Sequence, residues 1–336
     1  MVMLRVLGRR LVLLVPTILG IVTVTFFITH VLPGDPAYSL AGPNQSPANI
    51  KAIEHQYGFD QPITTQFWHY LTGIVHLDFG TSIVTGQSVA SDLGNRLPAT
   101  LELIVLSLAL ALIIGIAGGT LAARSAGRAS DRAVRGVSAV MLAIPDFWLG
   151  LVLLFFFFFK LGWAPAPIGQ IAPTDPAPTH ITGAALLDAI LTANGPALNA
   201  AFSHAVLPVV TLGAVLAAPI SRLTRSATLE VLEADYVAFG RACGLRHRTL
   251  RWYALRAALP PVVTFAGIAF SILLGGTVLI ENVFSWGGAA QYAANAIAQQ
   301  DYNAIQAFVL IAGVASIAIF LVVDLLYMAL DPRVKL

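Results

Sequence analysis

The stretch Arg241-Ala242-Cys243-Gly244-Leu245-Arg246-His247-Arg248-Thr249-Leu250-Arg251 carries four arginines in eleven residues. It lies between two apolar runs, Ala205–Leu223 and Pro261–Phe284. A helix needs roughly 20 apolar residues to cross a bilayer core, and both runs approach or exceed that length. Four further runs qualify: Leu11–Leu32, Thr100–Ala123, Val137–Phe159 and Ala304–Leu330. Sixteen of the nineteen Lys and Arg residues fall in alternate gaps between the runs. Arg5, Arg9 and Arg10 precede the first run, and Arg124, Arg128, Arg132 and Arg135 separate the second from the third. Seven arginines from Arg222 to Arg256 separate the fourth from the fifth, and Arg333 and Lys335 follow the sixth. Only Lys51, Arg96 and Lys160 occupy the other gaps. Basic residues are retained on the cytoplasmic side during insertion. The pattern therefore predicts an all-α polytopic membrane protein with six transmembrane helices and both termini in the cytoplasm. An extracytoplasmic insertion follows helix 1.

The composition agrees with that reading. The chain is 57% hydrophobic and 11% charged, against roughly 25% charged for a soluble domain. So much apolar surface calls for membrane lipids around it. The net charge of +2 gives no reason to expect nucleic acid. A single cysteine, Cys243, allows neither a disulfide framework nor a thiolate metal cluster. The first run spans 22 residues, longer than the roughly 7–15 of a secretory signal core. It reads as an uncleaved span.

Outside the arginine-rich stretch, the segment Pro33–Pro98 is predicted to be extracytoplasmic. Pro62 opens a helix with a one-sided apolar face at Ile63, Phe67, Leu71, Ile74 and Val75, ended by Asp78-Phe79-Gly80. This helix is expected at the outer membrane surface or as a cap on the bundle. The second outer segment, Lys160 to His204, is proline-rich at first, and Ala184–Leu191 is predicted as a short helix. Pro208 and Pro219 within the fourth run point to a span packed inside a bundle, where neighbours satisfy the freed carbonyls. The Phe155–Phe159 run reads as lipid-facing and packing residues. The loop from Thr224 to about Leu259 is too long for a turn. It reads as two amphipathic helices, roughly Leu229–Cys243 and Arg246–Ala258. They break at Gly244, which suits the left-handed position closing a helix, and the second stops at Leu259-Pro260-Pro261. Such an elbow is a surface on which another protein docks.

The elbow also carries a family resemblance. Asp235-Tyr236-Val237-Ala238-Phe239-Gly240-Arg241-Ala242-Cys243-Gly244-Leu245, with Leu255-Arg256-Ala257-Ala258-Leu259-Pro260 downstream, resembles the coupling loop of bacterial ABC importer permeases. The oligopeptide, dipeptide and nickel permease subfamily is the nearest match. Leu32-Pro33-Gly34-Asp35-Pro36, Tyr57-Gly58-Phe59-Asp60-Gln61-Pro62 and Asp78-Phe79-Gly80-Thr81-Ser82 are similar to that subfamily's outer segment. Ile144-Pro145-Asp146-Phe147-Trp148-Leu149-Gly150 is similar to its third span. Leu223-Thr224-Arg225-Ser226, Val283-Phe284-Ser285-Trp286-Gly287-Gly288 and the ending Leu330-Asp331-Pro332-Arg333 continue the series. The loop departs from the family's usual residues at Ala238, Phe239, Gly240 and Cys243.

The resemblance implies a type I ABC importer permease fold. Residues 1–98 form a first helix and periplasmic segment, 99–330 the permease domain with a coupling loop at 224–260, and 331–336 a cytoplasmic tail. It implies a multi-pass protein of the inner membrane, translocating peptides or a related small solute. The implied partners are a second homologous permease, two ABC ATPase subunits and a periplasmic or lipid-anchored solute-binding protein. Asp235, Tyr236, Arg241, Ala242, Gly244, Leu245, Arg248, Leu259 and Pro260 are the expected ATPase-coupling residues. The chain is not expected to be an enzyme or to hold a cofactor, since ATP is bound by the partners. It has no Gly-rich phosphate loop ending in Lys-Ser or Lys-Thr. The alternative cargo is nickel or another small solute, and the rival mechanism is a secondary carrier.

Three residues are candidates for the translocation pathway. Counted along a straight helix from Val137, Asp146 sits roughly 13 Å into the membrane, where an acid normally faces a cavity or a partner. It either lines the pathway, attracting a cationic group of the substrate, or serves the backbone near Pro145 or pairs with the second permease. Glu281 and Asn282 fall near the outer end of the fifth run, as part of an outer gate or as a solvated helix end. Asp324 is expected to pair with an arginine such as Arg222. His55, His69 and His76 lack chelating spacing and read as surface residues.

Overall fold

The structure, a computed structural model, describes residues 2–31, 36–41 and 46–330. The turn-rich Leu32-Pro33-Gly34-Asp35 and the tail 331–336 with its two basic residues lie outside them. The elements in chain order are α1 (Val2–Val31), α2 (Pro36–Ala41), α3 (Pro47–Tyr57), α4 (Ile63–Val75), α5 (Val89–Arg124), α6 (Ala129–Ala143) and α7 (Asp146–Leu153). A π-helical segment (Leu154–Lys160) extends α7. Then come α8 (Ala185–Leu191), α9 (Gly195–Glu233), α10 (Asp235–Ala242), α11 (His247–Gly276), α12 (Val278–Val283), α13 (Ala289–Ala298) and α14 (Tyr302–Leu330). Among the described residues the only β feature is an isolated bridge between Thr81 and Ser88.

Within the described residues all six apolar runs are largely helical. Four helices, α5, α9, α11 and α14, are long and apolar enough to cross a membrane. Leu14–His30 is a shorter apolar stretch within α1. The third run differs from the straight rod expected. It is α6 followed by α7 and its π extension, bent by 100° at a short break. The cause is local. Pro145 has no N–H to donate, and the residue before a proline is pushed out of the helical region. Ile144 accordingly adopts φ −90°, ψ 124°. The fifth run is also divided, since α11 ends at Gly276 and the one-and-a-half-turn α12 follows. Conversely, Pro260 and Pro261 lie inside α11 rather than ending it. The Thr264 hydroxyl donates to the Pro260 carbonyl at 3.2 Å.

The chain divides into two compact units, 1–100 with 287–317 and 101–286 with 318–336. In the first, the expected helix after Pro62 is present as α4, with Pro62 preceding its first turn. Phe67 and Tyr70 of α4 pack against Phe26 of α1. Gln306 of α14 donates to Thr29 of α1 at 2.7 Å. Val89 and Leu93 of α5 form a core with Tyr292 of α13 and Ile305 of α14. Asp301 is fully buried and accepts the Ser82 hydroxyl at 2.5 Å, which ties the loop before α5 to the start of α14.

In the second unit α9 is the central element, packed against α6, α7, α8, α10 and α11. Half of its apolar window is buried, against 17–33% in the other three long apolar helices. This matches the expectation drawn from Pro208 and Pro219. Close approach of α5 to α9 depends on glycine. A Cβ on Gly119 would lie 2.4 Å from the Ser221 carbonyl and 2.6 Å from the Thr224 side chain. The short helix expected at Ala184–Leu191 is α8. The π-helical phenylalanines are largely exposed, with Phe159 at 70%, as lipid-facing residues are.

Candidate functional site

The arginine-rich stretch forms a bent helical elbow between two long helices. α9 stops at Ala234, whose extended backbone (φ −69°, ψ 145°) turns the chain. The sequence alone starts the first elbow helix at Leu229. In the structure the α9 shaft runs on to Glu233, and the elbow helix proper is the two-turn α10. Asp235 stands in its first turn, where a negative charge complements the helix dipole. α10 closes in a Schellman arrangement. The Leu245 N–H donates to the Gly240 carbonyl at 3.1 Å and the Gly244 N–H to the Arg241 carbonyl at 3.0 Å. Gly244 has φ +77°, the left-handed region that glycine enters without a Cβ penalty. Arg246 then supplies the carbonyl that opens α11, accepting from Thr249 and Leu250.

The elbow has an inner and an outer face. Val237 and Gly240 of α10 and Leu250, Ala254 and Ala258 of α11 are buried. Gly240 is required by packing, because a Cβ there would lie 2.9 Å from Leu250 Cδ2 and 3.2 Å from Leu245 Cδ1. On the outer face Tyr236, Phe239, Leu245, Trp252 and Tyr253 are exposed large hydrophobics. Arg241, Arg246, Arg248 and Arg251 are exposed beside them, as are Asp235, Ala242 and Cys243. Exposed aromatics interleaved with arginines have the composition of a protein-binding hot spot. Leu259 and Pro260 do not join this face. They are half-buried on the α11 shaft, about 18 Å of helix rise beyond His247.

The sequence did not reveal what holds the shaft. Asp131, in the first turn of α6, is 1% exposed. Its carboxylate accepts from Arg225 of α9 through Nε at 2.7 Å and Nη2 at 3.0 Å. It also accepts the Gly127 N–H at 2.9 Å, and Arg135 Nε stands 3.5 Å away. Arg225 belongs to the Leu223–Ser226 stretch that resembles the permeases, but nothing in the sequence spacing pairs it with a residue 94 positions earlier. Arg222, the arginine expected to pair with Asp324, is exposed and makes no ion pair among the described residues. Asp324 is buried on α14, and the carboxylate that receives an α9 arginine is Asp131.

The pathway candidates separate. Asp146 is the first residue of α7, half-buried, and its carboxylate accepts the Phe147 N–H at 2.7 Å. The depth count along a straight span does not hold, because the helix breaks immediately before it. Glu281 on α12 is fully buried, which rules out the solvated helix end. Neighbouring Asn282 is exposed. α7 and α12 pack together: a Cβ on Gly150, one turn after Asp146, would lie 3.3 Å from the Phe284 ring and 3.7 Å from Val283. Among the described residues no three His, Cys, Asp or Glu side chains are grouped to hold a metal ion. His55 instead meets Asp60 at 3.0 Å.

Comparison with known proteins places this arrangement. Residues 115–336 match the model of a binding-protein-dependent transport system inner membrane component. Residues 3–104 match the N-terminal segment of the same membrane components. The chain is 41% identical over 330 residues to the "Probable D,D-dipeptide transport system permease protein" of Escherichia coli (strain K12), covering 98% of this chain and 97% of that one. It is 36% identical over 328 residues to a dipeptide transport system permease protein of Alkalihalophilus pseudofirmus, covering 97% and 98%. It is 35% identical over 334 residues to a glutathione transport system permease protein of Escherichia coli (strain K12), covering 99% of each.

Proposed function

Since the chain belongs to the family of binding-protein-dependent transport system inner membrane components, we propose that it is one permease half of an importer that carries peptides across the cytoplasmic membrane. The similarity to dipeptide and glutathione permeases over nearly the whole chain supports a short peptide as cargo. In this reading the chain crosses the membrane six times, with α1 as the first crossing, α6 with α7 as the third, and both termini inside. Residues 1–98 form the first helix and periplasmic segment. Residues 99–330 form the permease core, with its coupling loop at 224–260, and 331–336 form the tail. A second, homologous permease completes the pore. Two ATPase subunits bind ATP and drive it, and a solute-binding protein delivers cargo from outside.

One observation carries this reading: the rigid helix–glycine–helix elbow with an exposed face of arginines and aromatics. Nucleotide-driven movement of an ATPase reaches the membrane helices only through a surface that does not yield. The buried Val237–Leu250 face and the Asp131–Arg225 pair supply that stiffness. Asp235, Tyr236, Arg241, Ala242, Gly244, Leu245 and Arg248 are the coupling residues in this scheme. Leu259 and Pro260 act from the α11 shaft. Asp146, Glu281 and Asn282 remain the pathway candidates, and the buried Glu281 beside the α7–α12 contact is the one best placed to move with that contact. Co-purification tests the assignment. An ATPase encoded beside this chain is expected to co-purify with the wild type and be lost with Gly244→Pro, because proline cannot adopt φ +77°. Retention of the ATPase by that variant would refute the elbow as the coupling site.

A further inference from the structure

Gln66 of α4 has both amide hydrogens committed. Its Nε2 donates to the Phe59 carbonyl at 3.2 Å and to the Gln61 carbonyl at 2.8 Å. Turning the amide over would set its oxygen against two carbonyl oxygens, so these bonds fix which end is which. The amide oxygen is left to face α1, where His30 Nε2 stands 3.2 Å from it. The other ring nitrogen of His30, Nδ1, stands 2.7 Å from the Phe26 carbonyl one turn earlier. Both nitrogens of one imidazole therefore meet oxygens that can only accept. A neutral imidazole has a single N–H, whereas the imidazolium has two. The neutral ring aims a nitrogen lone pair at an oxygen lone pair; the charged ring satisfies both contacts.

Two further observations favour the charge. His30 lies in the last turn of α1, where a cation complements the negative end of the helix dipole. Its ring centroid is 4.1 Å from that of Phe26 and 5.8 Å from that of Tyr302 of α14, within the roughly 6 Å over which an aromatic ring attracts a cation. Among the described residues no carboxylate pairs with His30. The other titratable groups on the packed elements are otherwise placed. Tyr70 of α4 stacks on Phe26, and His69 of α4 is exposed. Asp60, in the turn before α4, meets His55, and Asp301, just before Tyr302, accepts from Ser82.

We propose that His30 is a proton-operated staple: as imidazolium it ties the C-terminal end of α1 to α4, and on losing a proton it lets go of Gln66. Gln66 in turn holds the turn at 59–61, so the staple reaches from α1 through α4 to the chain that leads into it. The contacts of Phe26 with Phe67 and Tyr70 do not depend on charge, so deprotonation loosens α4 rather than unfolding it. With the orientation proposed above, this end of α1 faces the outside and the staple senses external pH; that point alone rests on the permease reading. Stability that requires a bound proton is present at low pH and lost as the pH rises. Histidine changes charge between about pH 5 and about pH 8.

Hydrogen exchange of the purified full-length protein across that range, read by mass spectrometry and corrected for the intrinsic effect of pH on exchange, tests it. In the wild type α4 is expected to open at least about tenfold more at the alkaline end, as loss of a hydrogen bond from a charged donor implies. His30→Gln, which carries no charge, and Gln66→Met, which removes the acceptor, are each expected to abolish the pH dependence. His69→Gln, on the exposed side of the same helix, is expected to keep it. Equal protection of α4 at both ends of the range in the wild type would overturn the proposal. So would a pH dependence that survives in His30→Gln or in Gln66→Met, or one that vanishes in His69→Gln. These readouts involve neither ATPase binding nor uptake, so their failure is distinct from failure of the permease assignment.

Discussion

Two buried aspartates show how a single carboxylate orders a loop or joins two helices. Asp131 is held by two arginine N–H groups and a glycine N–H, and it fixes the start of α6 against α9. Removing one member of such a pair leaves the other partly desolvated and unmatched. Asp131→Asn is therefore expected to lower the thermal midpoint of the purified protein, as is Arg225→Met. The double variant is expected to fall short of the sum of the two, since partners in contact are not additive; thermal scans of the four proteins check this. Asp188 of α8 does comparable work in the segment between α7 and α9. Burial pushes its pKa up, but bonds from the Thr182 hydroxyl and from the Thr182, Ile181 and Gly183 N–H groups outweigh this and hold it below the ordinary 3.8. A carboxylate depressed in the folded state contributes its full stabilisation above the ordinary value, and that contribution is lost as the pH falls through the lowered one. The local stability of residues 181–188, read by hydrogen exchange, is thus expected to be constant above about pH 5 and to fall at lower pH. Asp188→Asn should raise exchange at least about tenfold at neutral pH, as loss of bonds to a charged acceptor implies. It should also remove the acid dependence.

At the scale of elements, the two elbow glycines do different jobs and respond differently to alanine. Gly240 has an ordinary helical backbone but no space, with Leu250 2.9 Å from its missing Cβ. Gly244 has open space but φ +77°. Gly240→Ala is expected to cost about 1–3 kcal/mol through overpacking, and Leu250→Ala should partly relieve it. Gly244→Ala should cost about 1–2 kcal/mol through backbone strain, with no relief from Leu250→Ala. Stability measurements on these variants separate the two causes. The left-handed role of Gly244 was legible in the sequence, because a glycine followed by a fresh basic helix is a local signal. The packing role of Gly240 was not, since it depends on a leucine ten residues away across the bend. The same division explains the helix ends. Pro145 broke a helix that the apolar run disguised as continuous. Pro260 and Pro261 broke nothing and lie inside α11, as membrane helices tolerate. Proline alone therefore did not tell a break from a shaft. The one-sided apolar face of α4 was readable in residue spacing and the long helices in apolar run length, whereas the Asp131–Arg225 pair, the burial of Glu281 and the glycine contact between α5 and α9 arise only when distant segments meet.

For the molecule as a whole, the strongest constraint lies in the order of its residues: sixteen basic side chains in alternate gaps. In the proposed reading it sets which ends of the long helices face the cell interior, and every functional inference about the elbow inherits that orientation. The chain contains its own probe. Cys243 is the single cysteine, it is exposed, and it stands at the elbow immediately before Gly244. No background thiol needs to be removed, and the wild-type protein can be used. A membrane-impermeant maleimide is expected to label Cys243 in inverted membrane vesicles and to leave it unlabelled in right-side-out vesicles, whose interior the reagent does not reach. Labelling from the outer face would reverse the topology and with it the coupling role of the elbow. The same thiol reports docking. Co-expression of the partner ATPase should slow labelling in inverted vesicles several-fold, because a seated subunit excludes solvent from a contact surface. Gly244→Pro, which destroys the bend without touching the sulfur, should restore the unprotected rate. If protection persisted in that variant, the ATPase would be gripping α10 as an isolated helix, and the bend would not be what transmits its movement to α9 and α11.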